Sequence, residues 1–352
     1  MDKKTVRYAI SGLGRIGRYH SMNISTRVAN AELVAGCTIM DADKQWVKEN
    51  LPHLRIYDDY DEMLEKEKGS VDAVAIASST AVHAEQSIKA IEAGYHVFCE
   101  KPLSLDVDEA AKVVETAKAH PNQKVLCGFS RRFDASYLDA KKKVDEGLIG
   151  KPMVIKAQTG DKQHKDDFFV KYAEKSGGIF VDCTIHDIDL VLYYFGEDVV
   201  PQQISAIGSA VIHPELAKFK DCDNAFANVK FWDGRMANFY VTRMMTHGQE
   251  DYTEILGTEA KITVNKNVNN NLVTISDPHG VRHEAPEDFY ARFEMAFVTE
   301  LNEFTKYIVN DKPVPFSLDA NLKALKWAKY LQHCVETGKV LNFNEKGEPI
   351  DY

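Results

Sequence analysis

The sequence holds no apolar run of membrane length, no C-x-x-C pair, no internal repeat and no Pro/Gly/Ser tract. The first absence excludes a membrane-spanning helix, and the last two exclude a repeat array and a disordered segment. The six cysteines, at 37, 99, 127, 183, 222 and 334, are scattered. They predict reduced thiols rather than a disulfide framework or a zinc knuckle. Positive charge is in deficit: 43 Lys and Arg face 53 Asp and Glu, a net charge of −10. That balance argues against nucleic acid or an acidic membrane surface as partner. The short Lys141-Lys142-Lys143 cluster reads as a solvated helix face. Met1-Asp2-Lys3-Lys4 runs directly into a strand with no signal-type apolar core, which predicts a soluble cytoplasmic protein. At 352 residues, 44% hydrophobic and 27% charged, the chain can bury a sizeable core in about two domains.

The first half alternates strand and helix. Val6 to Ile10 is a strand, and Ser11-Gly12-Leu13-Gly14-Arg15-Ile16-Gly17 breaks it and opens a helix. Gly12 permits the tight turn, Gly14 admits a pyrophosphate to the backbone, and Gly17 lets the helix pack on the strand. The helix N-terminus then turns its N–H groups to the phosphates. A second strand, Glu32 to Ile39, leads to Met40-Asp41, 24 positions after Gly17. A carboxylate there accepts ribose hydroxyls and repels a 2′-phosphate, which favours NAD over NADP. Lys44 nearby tempers that preference. Val71 to Ala77 is a near-continuous apolar strand, as a parallel sheet requires, with Ser78-Ser79-Thr80 at its carboxyl end. Ala84 to Ala93 is a helix, and Tyr95 to Cys99 a strand ending in Glu100-Lys101-Pro102. Lys101 is open to two readings, a contact to a substrate oxygen or a surface charge at a strand end. Ser104 or Asp106 caps a helix to about His120, and Lys124 to Gly128 closes this domain.

Ser176-Gly177-Gly178-Ile179 through Asp189 opens a mostly buried helix that Gly196 ends. Asp182, His186 and Asp189 fall at i, i+4 and i+7 and share one stripe of it. A carboxylate one turn from an imidazole is what a general base needs, since it fixes the tautomer. A satisfied core histidine is the plainer alternative. A metal would need a third ligand, and none is close in sequence, so no metal is expected.

From Phe129 strands dominate: Met153–Thr159, Ile204–Ala210, Ala225–Phe231, Met236–Thr242, Tyr252–Leu256, Lys261–Val264 and Leu272–Ser276. Hairpin turns such as Trp232-Asp233-Gly234-Arg235 make the sheet largely antiparallel. Helices are expected at about Ala135 to Glu146, Phe289 to Ile308 and Leu318 to Thr337. The 176–195 helix covers one sheet face, and the other face, uncovered, points to a second subunit. Asp161 to Phe169, with His164, Asp166 and Asp167, reads as a polar loop that is either a substrate lid or solvated. The expected fold class is α/β: a Rossmann dinucleotide-binding domain (residues 1–128), then an α+β domain with a large, mostly antiparallel open sheet (residues 129–352).

With the glycine fingerprint, Glu100-Lys101-Pro102 and Gly177-Gly178 followed by Asp182-x-x-x-His186 in view, the chain resembles the glucose–fructose oxidoreductase / inositol dehydrogenase (Gfo/Idh/MocA) family. The resemblance runs the whole length, including Phe289-Tyr290-x-Arg292-Phe293 and Asp311-Lys312-Pro313. Gly128-Phe129-Ser130-Arg131-Arg132-Phe133-Asp134 resembles the inositol dehydrogenase branch. The resemblance implies an NAD-dependent dehydrogenase of cyclic polyols or sugars, inositol first, dimeric or tetrameric through the open sheet. It implies Lys101, Asp182 and His186 as the catalytic set, and cofactor contacts at Gly12, Leu13, Gly14, Arg15, Ile16 and Asp41. Further cofactor contacts are implied at Ser78, Ser79, His83, Glu100 and Lys101. Substrate contacts are implied at Arg131, Asp161 and His164 beside the catalytic set. One departure bears on substrate choice: many members carry a Gly-Tyr-Asp-like run where this chain has His247-Gly248-Gln249-Glu250-Asp251. The competing functions are dehydrogenation of an aldose and a non-catalytic NAD-sensing regulator.

Overall fold

The computed structural model describes residues 4–164 and 168–350. The chain folds as two compact units, residues 1–133 with Met295–Leu322, and Asp134–Glu294 with Lys323–Tyr352. The segment Met295–Leu322 thus returns to the first unit, although it follows the whole strand-rich region in sequence.

The first unit strings β1 (Val6–Ser11), α1 (Arg15–Thr26), β2 (Ala31–Cys37), α2 (Asp41–Asn50), β3 (Arg55–Tyr57), α3 (Tyr60–Lys66) and β4 (Ala73–Ile76). It continues through α4 (His83–Glu92), β5 (His96–Glu100), α5 (Val107–Ala119) and β6 (Val125–Gly128). All six strands are parallel in the order β3-β2-β1-β4-β5-β6. The order reverses between β1 and β4, and that is where such sheets bind ligands, beyond the carboxyl ends. The apolar runs follow from burial on both faces: every residue of β4 is wholly buried. β2 stops at Cys37 rather than Ile39, because Thr38 turns the chain so that Ile39 and Met40 lie exposed. Of the two expected caps for α5, Asp106 serves, accepting from the N–H groups of Asp108 and Glu109 at 2.9 and 3.0 Å.

The second unit begins with α6 (Ala135–Asp145), whose N-cap Asp134 also pairs with Arg292 at 2.9 Å. Then come β7 (Pro152–Lys162), α7 (Phe168–Ser176), α8 (Ile185–Phe195), β8 (Pro201–Ser209), β9 (Asn224–Phe231), β10 (Met236–Met245), β11 (Glu250–Gly257) and β12 (Lys261–Val264). A small hairpin, β13 (Ile275–Asp277) and β14 (Gly280–Arg282), precedes α9 (Phe289–Val309), α10 (Leu318–Thr337) and β15 (Leu341–Asn342). The large sheet runs β12-β11-β7-β10-β9-β8-β15. β7 and β10 are parallel and the other pairs antiparallel. The strand expected at 272–276 does not join it and pairs only within the hairpin. One face is dry: Phe231 meets Phe195 of α8 and Trp327 of α10 at 5.8 and 5.4 Å. On the other, Ile207, Phe226 and Met236 are exposed, and Phe226 stacks on Tyr240 at 4.6 Å. β9 alternates between the two faces residue by residue, as its pleat requires.

Two local differences from expectation bear on function. The expected single helix from Ile179 is a π-helical turn over Phe180–Thr184 leading into α8. Such a turn inserts backbone that an i, i+4 count does not register. Asp189 lies wholly buried, while Asp182 and His186 stay partly open. The expected polar loop is also shorter, because β7 carries Asp161 and α7 begins at Phe168; Asp166 and Asp167 lie outside the described residues.

Candidate active site

The glycine loop joins β1 to α1. Gly12 has φ +87°, and a Cβ there would lie 2.4 Å from Ser78 Cα. A Cβ on Gly17 would lie 1.9 Å from the Gly12 carbonyl oxygen, whereas one on Gly14 would meet nothing within 4 Å. Two glycines are therefore forced by packing, and the third leaves an open face at the N-terminus of a helix with no side-chain cap. That open face fits a pyrophosphate. Leu13 is core, while Arg15 and Ile16 turn outward. At the next turn, Asp43 is bound by Arg18 at 2.8 Å and Thr38 at 3.1 Å. Asp41 stands fully exposed at the start of α2. Lys44, the residue that tempered the NAD preference, pairs with Asp58 at 2.6 Å and only distantly with Asp41, at 3.7 Å.

Gln86 ties the ends of β1 and β4 together, its Oε1 accepting from Ser11 and Ser78 at 2.9 and 2.8 Å. Ser79 follows on the same turn, leading to α4. His83 is buried, its Nδ1 2.9 Å from the Pro102 carbonyl and its Nε2 3.1 Å from that of Ser78. Burial opposes charge on this ring, but Cys99 and the two carbonyls outweigh it and raise its pKa to about 9. The imidazole thus clamps the end of β4 to the turn after β5, where Lys101 emerges half-buried. Glu100 accepts from His20 Nε2 at 2.6 Å and from the Lys101 N–H at 3.2 Å. Burial works against its charge, yet His20 and then Lys101 hold it below the usual carboxylate range. Arg131 and Arg132 follow β6 on one tight turn, both buried, with Arg132 over the Phe316 ring at 5.1 Å.

In the second unit, Asp182 accepts from Arg243 Nη2 at 3.1 Å and from the Tyr172 hydroxyl at 3.3 Å. Arg243, from β10, is wholly buried and also reaches Asp221 at 3.0 Å. Asp221 in turn takes the Ile179 N–H at 2.8 Å, so one carboxylate holds both the arginine and the start of the π turn. The Cys183 thiol lies 3.5 Å from Asp182 and 3.5 Å from Asp161. Asp161 also accepts from Gln249 at 2.9 Å, and Gln249 reaches Asp251 at 3.1 Å. His186 is half-buried at the start of α8. His164 is exposed, its ring edge on Phe169 at 5.0 Å. The second unit thus gathers Asp161, Asp182 and His186 around the π turn, while the first unit holds Lys101 and Arg131.

Residues 6–129 match the GFO/IDH/MocA oxidoreductase family, described as an NAD-binding Rossmann fold, and residues 137–263 match the C-terminal domain of that family. The chain belongs to the Gfo/Idh/MocA family. Its relatives include the scyllo-inositol 2-dehydrogenase (NAD(+)) of Bacillus subtilis (strain 168), 34% identical over 320 residues, 90% of each chain. The myo-inositol 2-dehydrogenase of Thermotoga maritima is 32% identical over 321 residues, 91% of this chain and 93% of its own. The crystal structure of a Lactobacillus casei scyllo-inositol dehydrogenase with bound NAD(H) and scyllo-inositol aligns at a TM-score of 0.91 and 33% identity, over 96% of this chain and 99% of that one. This Gfo/Idh/MocA member is an NAD-dependent oxidoreductase, and its first unit carries the cofactor fold. No helix among the described residues is long and apolar enough to cross a membrane.

Arg243 and Asp221 are not marked by any motif in the sequence, whereas Gln249 lies in the run that departs from the family pattern. Arg243 and Asp221 hold residues distant in sequence, and the signal for Arg243 is a charged residue at a core-facing position of an alternating strand.

Proposed function

We propose that this protein oxidises a secondary alcohol of an inositol ring, myo- or scyllo-inositol, to the ketone, with Lys101, Asp182 and His186 as the catalytic set. The observation that carries the reading is the alignment over 96% of this chain with an inositol-bound dehydrogenase. Lys101, Asp182 and His186, placed as above, supply the matching chemistry. The first unit holds the cofactor and the second most of the substrate contacts. NAD, when bound, supplies the acceptor for the hydrogen that leaves carbon with its electron pair. His186 takes the hydroxyl proton, and Lys101 holds the alkoxide oxygen as its charge develops. Asp182, oriented by Arg243, steadies the imidazolium that forms. Arg131, Asp161 and His164 are assigned to the substrate side, with Asp161 set by Gln249. Asp41 takes the ribose hydroxyls and Gly14 the pyrophosphate. Ser78, Ser79 and Glu100 border the nicotinamide side, and His83 acts there by holding the backbone.

The protein works in the cytoplasm as a homo-oligomer, a tetramer or a dimer. A second copy covers the sheet face that carries Ile207, Phe226 and Met236. Exposed apolar area of this kind, continuous across neighbouring strands, supports that assembly.

The substrate assignment is tested by incubating the protein with NAD and a panel of inositols and aldoses, following reduced cofactor by absorbance. An inositol should give the highest kcat/KM; a higher value for an aldose would replace the substrate and leave the chemistry.

A further inference from the structure

One group of titratable side chains enters that reading only through Glu100. His20 on α1, Glu100 at the end of β5 and Glu300 on α9 each offer an atom within 4.8 Å of the other two, all within the first unit. His20 and Glu300 are wholly buried, and the Glu100 side chain is 12% exposed. The surroundings are aromatic, with the His20 ring edge-on to Phe98 at 5.2 Å and Phe297 at 5.8 Å. Two carboxylates this close in so dry a place cannot both be ionised without a cation between them.

The hydrogen bonds say which one carries the charge. Glu100 Oε1 faces His20 Nε2 at 2.6 Å, and Oε2 accepts the Lys101 backbone N–H at 3.2 Å. Neither oxygen of Glu300 has a hydrogen-bond partner. Burial, and then the Glu100 charge, push the Glu300 pKa well above the usual carboxylate value. His20 Nδ1 is likewise buried without a hydrogen-bond partner. Beyond the three, Lys101 and His83 are the other charged groups that Glu100 feels.

We propose that His20, Glu100 and Glu300 form a buried positioning triad behind Lys101, in which Glu300 keeps its proton and Glu100 fixes the backbone from which the lysine projects. The functional half of this rests on the reading of Lys101 as the alkoxide-holding group; the protonated acid does not.

Infrared spectroscopy of the whole protein at neutral pH tests it. The wild type should show the C=O stretch of a protonated carboxylic acid, shifted in D2O, lost on unfolding and absent in Glu300→Gln. A native spectrum without that band overturns the triad, and so does a stoichiometric metal ion in the purified protein that Glu300→Gln loses. Should Glu300→Gln not fold, loss of the band on unfolding of the wild type decides the point. In a second arm, His20→Gln should lower kcat by about 10- to 100-fold, as a misplaced reacting group does. KM for the polyol and the NAD dissociation constant should stay as in wild type. Unchanged kcat, or parallel loss of kcat, NAD affinity and melting temperature, overturns the positioning role. If the wild type oxidises no polyol, the proposed function fails, and the spectrum still decides the triad.

Discussion

Arg243 shows how a residue's role depends on partners that sequence spacing does not reveal. Its guanidinium is wholly buried and bridges Asp182 to Asp221, itself nearly inaccessible. Removing one member of a buried ion pair leaves the others uncompensated, at a cost of about 3–5 kcal/mol. Arg243→Ala should therefore lose stability of that order in urea unfolding, with kcat falling because Asp182 is released. A change under about 1 kcal/mol would mean that the pairs contribute no more than surface ones. The opposite case is Asp41, whose carboxylate is solvent-exposed. Asp41→Ser should keep the melting temperature and narrow the preference for NAD over NADP in kcat/KM. Equal use of both cofactors by the wild type would contradict the role. Lys101, Asp182 and His186 could be singled out as candidates because their motifs are local. Arg243 and Glu300 could not, because each lies against a residue more than 50 positions away in the chain.

The glycine loop separates two kinds of constraint that the fingerprint alone merges. Gly17→Ala would press a methyl group against the Gly12 carbonyl, 1.9 Å from the built Cβ, so α1 must move off the sheet. Overpacking of this kind costs about 1–3 kcal/mol, and the melting temperature should fall. Gly14→Ala meets nothing within 4 Å and should melt as the wild type does while binding NAD more weakly. A lowered melting temperature in Gly14→Ala, or unchanged NAD affinity, would contradict an open phosphate face. At the neighbouring strand ends, His83 carries a pH signature. Its folded pKa is raised to about 9, above the ordinary value of about 6.5, so the charged ring favours the fold. That stability is fully present below the unfolded value and is lost as pH rises through about 9. Relative to His83→Gln, the wild type should lose unfolding free energy between about pH 6.5 and pH 9, measured by urea titration at each pH. Parallel curves would remove His83 from this role. Element types were mostly readable from period, but the π turn was not. A pattern of apolar residues is nearly the same for an α-helix with one inserted residue as for one without.

Over the whole molecule, the parallel and antiparallel halves were visible in the change from alternating strand–helix units to closely spaced strands near Phe129. The parallel pairing of β7 with β10 was hidden, since strand order is set by the crossover through α7 and α8 rather than by any turn signal. The return of Met295–Leu322 to the first unit was hidden for a related reason. A helix shows which stripe it buries, not which sheet receives it, and Tyr8 of β1 hydrogen-bonds Thr305 of α9 at 2.7 Å across 297 positions. The exposed aromatic face of the large sheet is the proposed contact between copies. Phe226→Lys with Tyr240→Lys should convert the oligomer to smaller species in sedimentation without loss of secondary structure. Unchanged mass would move the interface elsewhere.

Lys101 and His186 are proposed to act in a single chemical step. Steady-state reduction of NAD by inositol, measured for the wild type, Lys101→Ala and His186→Ala with NAD binding measured in parallel, tests it most directly. The wild type should turn over, and each variant should lose on the order of 10²-fold or more in kcat while binding NAD as before. Near-normal turnover in either folded variant, or no reduction of NAD with any inositol, would contradict the account.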